Sequence, residues 1–190
     1  MTSSDTIASL VDRLSRIAHS LQFAEGLNPA QWNALRFLSK ANKYSTSPGV
    51  LADYLGCTKG TVSQTLIALE SKGLLERIRC DEDRRKVRLG LTDAGKAILE
   101  HDPLCQIERA SAGVPLPDRE SMIAAMTQMV DDLCPDHDGP SFGKCGKCCH
   151  LDCSTGADGC EDTQRCGLTG ESLNAEELEQ ICVDFCIGKK

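Results

Sequence analysis

Eight of the chain's twelve cysteines fall in its last 46 residues: Cys145, Cys148, Cys149, Cys153, Cys160, Cys166, Cys182 and Cys186. A short, acidic, aromatic-poor stretch of this kind has too little apolar area for a core of its own. It needs a metal, a cluster or disulfides to hold it together. SFGKCGKC contains a C-x-x-C knuckle, a spacing that lets two thiolates of one tight turn reach a single metal centre. RCGLTGESL and EQIC each add an isolated cysteine further on. Structural zinc sites usually join two knuckles, whereas one knuckle plus dispersed single cysteines suits an iron–sulfur cluster, whose wide inorganic core can be gripped from several sides. Zinc stays open as an alternative, with His150 beside Cys149 as a nitrogen donor, and so does a disulfide or metal-free thiol switch.

These residues end a chain of 190 residues with 41% hydrophobic content, enough for one medium domain plus a small appendage and too much for global disorder. The start has no basic region followed by a long apolar run, and no apolar stretch is long enough to span a bilayer. The expectation is a cytoplasmic protein with no membrane partner, and in that compartment structural disulfides are rare. That shifts the tail toward metal. The net charge of −7 is unevenly spread: residues 57–90 sum to +3 and residues 135–190 to −6. A phosphate footprint is local, so the middle of the chain can face nucleic acid while the tail stays away from it.

The elements that must position these groups are readable from caps and periodicity. Residues 4–21 carry Ile7, Leu10, Val11, Leu14, Ile17 and Leu21 on one helical face. Asn28-Pro29 and Ser47-Pro48 are helix starts, and Thr58 caps a helix over residues 59–71 that ends at Lys72-Gly73. Period-two alternation on either side of DEDRR predicts a β-hairpin. Thr92 starts a further helix, Pro103 bends or breaks the chain, and residues 118–133 form another helix. CPDHDGPSFG reads as a linker. Asn174 and Glu177 make a capping box for a last helix to about residue 185, which would turn Leu178, Cys182 and Cys186 to one inward face.

Helix, short helix, helix, hairpin is the winged helix-turn-helix order. Val62, Leu66 and Leu69 bury one side of the fourth helix. Thr58, Lys59, Thr61, Ser63, Gln64 and Thr65 are left to reach base edges and phosphates, with Arg84 and Arg85 at the hairpin tip for a minor groove. Cys57, Cys80, Cys105 and Cys134 read as small hydrophobes, and His19 and His101 as structural or surface residues. No nucleotide-binding or hydrolase motif points to an enzyme.

GCTKGTVSQTLIALESKGLLER followed by DEDRRKVRLGLTDAGKA resembles the recognition helix and wing of the MarR family of transcriptional regulators, over residues 5–134. That resemblance implies a homodimer on an inverted-repeat, double-stranded operator, with the first and last two helices as dimer interface and Asp83 or Asp81 bracing the wing arginines. The tail resembles one carried by some bacterial winged-helix regulators. By that resemblance the metal ligands are Cys145, Cys148, Cys166 and Cys182, with Cys149, Cys153, Cys160 and Cys186 in surplus.

The expected architecture is therefore mainly α with a small β-hairpin wing (α+β). A winged-helix DNA-binding and dimerisation domain spans residues 1–134, a linker 135–144, and a Cys-rich metal module 145–190. The expected function is a regulator whose iron–sulfur or zinc tail tunes DNA binding. A regulator with a purely structural zinc tail for partner interaction, or a redox protein on a winged-helix scaffold, are the alternatives.

Overall fold

The computed structural model describes residues 2–79, 87–133, 142–154 and 163–186. These residues form two compact units, one of Met1–Asn33 with Ala97–Asp136 and one of Ala34–Lys96 with His137–Lys190.

The first unit holds helix α1 (Ser3–Leu21), the start of α2 (Pro29–Lys40), the end of α5 (Asp93–Ile98), α6 (Cys105–Ala112) and α7 (Leu116–Leu133). A capping box closes the start of α1: Thr2 accepts from the Asp5 N–H, and the Asp5 carboxylate takes the Thr2 N–H. No residue of α1 is buried; Ile7, Leu10, Val11, Leu14 and Ile17 are 43–53% exposed along its apolar face. Helix α7 likewise leaves Met122, Ile123, Met126, Met129, Val130 and Leu133 in the open. The short helix α6, which follows the Pro103 bend, was not foreseen; Asp102 stabilises the turn into it by accepting the Leu104 N–H.

The second unit is the winged helix-turn-helix. Its core joins Leu35 and Phe37 of α2, Leu51 and Ala52 of α3 (Pro48–Leu55), and Val62, Leu66 and Leu69 of α4 (Lys59–Ser71). Ser47 and Thr58 cap α3 and α4 as expected, each accepting a backbone N–H three residues on at 3.2 Å. Strands β1 (Leu75–Arg79) and β2 (Val87–Leu91) form the antiparallel wing, with Leu75 opposite Leu91 and Arg79 opposite Val87. Leu89 inserts into the core, and its N–H donates to the Thr46 carbonyl at 2.8 Å, tying the wing to the segment that precedes α3.

The described residues of the tail form two two-stranded ladders, a 3-10 turn at Cys145–Lys147 and a short α-helix. Strand β3 (Gly143–Lys144) pairs with β6 (Ile181–Cys182), and β4 (Leu151–Ser154) pairs with β5 (Thr163–Cys166). Helix α8 is only Ala175–Leu178, opened by the expected Asn174–Glu177 capping box. The expected continuation to residue 185 is corrected. After Leu178 the chain turns extended, because Ile181 pairs with Lys144 on one side and bridges Ala41 in parallel on the other. Two backbone partners outweigh helical periodicity. Cys182 and Cys186 therefore do not share a helix face.

Candidate nucleic-acid interface and metal centre

On α4 the solvent side carries Lys59, Thr61, Ser63 and Gln64, all exposed, with Thr65 half-buried. Three of the hydroxyls foreseen as base readers are already engaged. Thr58 Oγ1 caps the Thr61 N–H and sits 3.0 Å from Thr61 Oγ1, while Thr65 Oγ1 donates back to the Thr61 carbonyl at 3.1 Å. Lys59, Ser63 and Gln64 carry the more open functional groups of this face. Arg77 Nε donates to both oxygens of Glu70 at 3.0 Å, bracing β1 against α4. Lys43, Arg77 and Arg88 border an open cleft of about 590 Å³ between the α3 start and the base of the wing. Arg84 and Arg85 lie outside the described residues, as do Asp81, Asp83, Cys80, Cys134 and Cys160. Cys57 and Cys105 are half-buried.

The tail gathers Cys145, Cys148, Cys166 and Cys182 around one small cavity, walled by Leu151, Leu168 and Leu173 with His150 and Asp184 at its margin. Local pairing explains the convergence. The β3–β6 ladder sets Cys182 opposite Gly143, two residues before Cys145, and the Cys145 N–H donates to the Gln180 carbonyl at 3.1 Å. The β4–β5 ladder sets Cys166 opposite Leu151, three residues past Cys148. The knuckle thus bridges two ladders, each of which delivers one distant cysteine.

Donors surround the sulfurs. Asn42 Nδ2 donates to Cys145 Sγ at 3.7 Å and the Cys186 N–H to Cys148 Sγ at 3.5 Å. Burial raises Cys166, but the Thr169 N–H and hydroxyl and the Leu168 N–H outweigh it and hold the thiol below its ordinary range. This is what the C-G-L-T-G-E string builds. Gly170 turns the chain at φ +72°, its N–H donates to the Cys166 carbonyl at 2.7 Å, and the turn folds its donors over the sulfur. Cys145 is pushed up, first by burial, and the Asn42 amide opposes that. Four thiols thus share one cavity with apolar walls and N–H···S donors, and His150 and Asp184 line it as well.

The tail is also fastened to the reader by groups that sequence reasoning missed. The Asn42 N–H donates to the Ile181 carbonyl at 2.9 Å, and the Val183 N–H donates to the buried Ser45 Oγ at 2.9 Å. Lys43 and Tyr44 both bond Glu171, whose carboxyl is held below the usual range by Lys43 first and Tyr44 second. Phe142 stands edge-on to Tyr54 and Phe37, with centroids 5.1 and 6.1 Å apart. Only A-N-K-Y-S beside a helix end could have signalled this, and it reads as an ordinary loop.

A second group of donors lies at the exposed edge of the tail. Cys149, His150 and Cys186 bring one ligand atom each within 4.8 Å of one another. The hydrogen bond between the two thiols, then desolvation, pushes Cys149 up to about 11.

The architecture is a winged helix-turn-helix, and residues 25–86 match the MarR family. The chain is 35% identical over 95 residues to the transcriptional repressor YetL of Bacillus subtilis, covering 48% of this chain and 57% of that protein. It is 27% identical over 116 residues to the repressor MprA of Escherichia coli K12, covering 58% of this chain and 66% of that one. The chain thus spans less than two thirds of either relative. Both are named as repressors, not enzymes. Solved structures of MepR from Staphylococcus aureus share the fold. One MepR point mutant aligns with TM-score 0.60 at 24% identity, over 70% of this chain and 99% of that one. The MepR–DNA complex aligns with TM-score 0.54 at 24% identity, over the same shares.

Proposed function

We propose that the chain is a homodimeric transcriptional regulator of double-stranded DNA whose affinity is set by a metal group held through Cys145, Cys148, Cys166 and Cys182. The DNA-reading half rests on the exposed Lys59, Ser63 and Gln64 of α4, on Arg84 and Arg85 between β1 and β2 in sequence, and on the relatives named as repressors. The open apolar faces of α1 and α7 support the dimer.

The single observation that carries the regulatory reading is the tail's grip on residues 41–46. Asn42 touches Cys145 with its side chain and Ile181 with its backbone, and Ser45 holds Val183. The same loop runs into the Ser47 cap of α3 and receives the wing through Thr46. A bound group would supply a cross-link between the two tail ladders that depends on redox state or metal supply. With the four thiols held together, Asn42 and Ser45 keep both the α3 start and the wing base in place; with the thiols released, those anchors loosen and phosphate contacts weaken.

An iron–sulfur cluster is the first reading, supported by four thiols drawn from dispersed segments, apolar walls and N–H···S donors. Zinc is favoured by one observation, the cavity of about 20 Å³, near the ~10–15 Å³ that one water-sized sphere needs. Anaerobic purification decides between them: broad visible absorption with iron and sulfide marks the cluster, a colourless protein with zinc marks the other. Cys166→Ser should strip the metal and weaken binding to a selected operator by at least tenfold. Arg84→Ala/Arg85→Ala should weaken binding to all sequences and flatten its salt dependence. Full metal content in Cys166→Ser overturns the ligand set, and wild-type DNA binding by the arginine variant overturns the wing assignment.

A further inference from the structure

We propose a second metal site at the exposed edge of the tail, formed by Cys149, His150 and Cys186 and suited to a thiophilic divalent cation such as Zn²⁺. None of these residues belongs to the four-thiol set, although His150 also lines that cavity, so the tests below vary the two sets of ligands separately. Two sulfurs and an imidazole nitrogen already lie within 4.8 Å of one another. In a tetrahedral zinc site with bonds of about 2.0–2.3 Å, neighbouring ligand atoms stand roughly 3.3–3.8 Å apart. Small side-chain rotations close that difference.

The backbone fixes all three positions without help from a metal. The Cys149 N–H donates to the Cys186 carbonyl at 2.7 Å, pinning the two cysteines side by side. The His150 carbonyl accepts the Gly167 N–H at 2.7 Å, and a Cβ at residue 167 would sit only 2.9 Å from that oxygen, so glycine is needed there. The β4–β5 hairpin therefore orients His150, while the segment after β6 delivers Cys186. Two adjacent ligands from one turn and one from a distant segment converge as metal donors do.

The donor set selects the ion. Two thiolates balance a divalent charge, and sulfur with imidazole favours zinc, cadmium and copper over the oxygen-seeking magnesium and calcium. Three protein ligands leave a fourth position open, and Cys149 is exposed. Such a site exchanges its metal with solution more readily than a closed four-ligand centre.

Cadmium titration of the reduced full-length chain under anaerobic conditions tests the site, reading cadmium–thiolate absorption and the mass of the native complex. Wild-type protein should take up one tightly bound cadmium per chain more than the Cys149→Ser/Cys186→Ser variant. His150→Ala removes one of the three ligands and should keep that cadmium on the two thiolates with an affinity weakened at least about 10-fold, since the loss of even an outer partner costs that much. Cys145→Ser/Cys182→Ser should retain the second-site cadmium while losing that of the four-thiol pocket; a wild-type count there overturns the four-thiol reading alone. Equal counts in wild type and the Cys149→Ser/Cys186→Ser variant overturn the second site. Full uptake by protein carrying a Cys149–Cys186 disulfide overturns it equally.

Discussion

Ser45 has no exposed surface, and its single hydroxyl serves both sides of the tail's attachment. It donates to Asn42 Oδ1 at 2.7 Å and accepts the Val183 N–H at 2.9 Å. Ser45→Ala leaves that N–H without its acceptor, a loss of about 1–3 kcal/mol. Glu171→Gln removes the bond to Lys43, but both partners are about half exposed, so solvent screens the pair and little stability goes with it. Amide exchange at Ile181 and Val183 should therefore accelerate strongly in Ser45→Ala and barely in Glu171→Gln. The sign with pH follows from Glu171's depressed carboxyl. Its contribution is present above the ordinary glutamate value of about 4.3 and is lost only as pH falls through the lower folded value. Tail protection that weakens already between neutral pH and about 5 would rule this assignment out.

Among the elements, α4 shows how a cap and a proposed base reader compete for the same atoms. Thr58 Oγ1 satisfies the Thr61 N–H, so Thr58→Ala should cost about 1 kcal/mol of stability through the lost cap. Its effect on DNA should appear as a uniform weakening, whereas Gln64→Ala should change preference at one base position. A shift of base preference in Thr58→Ala, measured by binding a panel of operator variants, would show the hydroxyl to be a reader after all. The caps and hairpin of the reader were legible because they are local: Ser47-Pro48, Thr58 and Lys72-Gly73 act within a turn or two of chain. Asn174 with Glu177 was legible for the same reason. The end of α8 was not, because Ile181 is drawn into a ladder and an isolated bridge whose partners lie 37 and 140 residues earlier, at Lys144 and Ala41. The four thiols that line one cavity are the ones nominated by the resemblance of the C-G-L-T-G-E and I-C strings to similar tails. The second cluster was not legible: its meeting depends on Cys186 leaving the helix it was expected to share with Cys182.

At the scale of the whole molecule, the least satisfied feature is apolar surface. Helix α1 exposes Ile7, Leu10, Val11, Leu14 and Ile17 at i, i+3, i+4, i+7 and i+10, one continuous stripe, and α7 exposes Met122, Ile123, Met126 and Val130. Stripes of this size on two helices of the same unit are costly to leave in water, at roughly 25 cal/mol per Å² of apolar area. The proposed two-fold interface between copies would cover both, and a two-fold DNA reader requires its recognition helices about one DNA turn, ~34 Å, apart. Leu14→Glu places a charge in the middle of the α1 stripe, on an element that carries none of the DNA-reading or thiol residues. It should shift the chain from dimer to monomer in sedimentation at micromolar concentration. Operator affinity should fall by well over tenfold, because each half-site must then be bound alone, while metal content stays at the wild-type level. Wild-type protein sedimenting as a monomer that binds one chain per site would refute the dimer and leave the two apolar stripes to another partner.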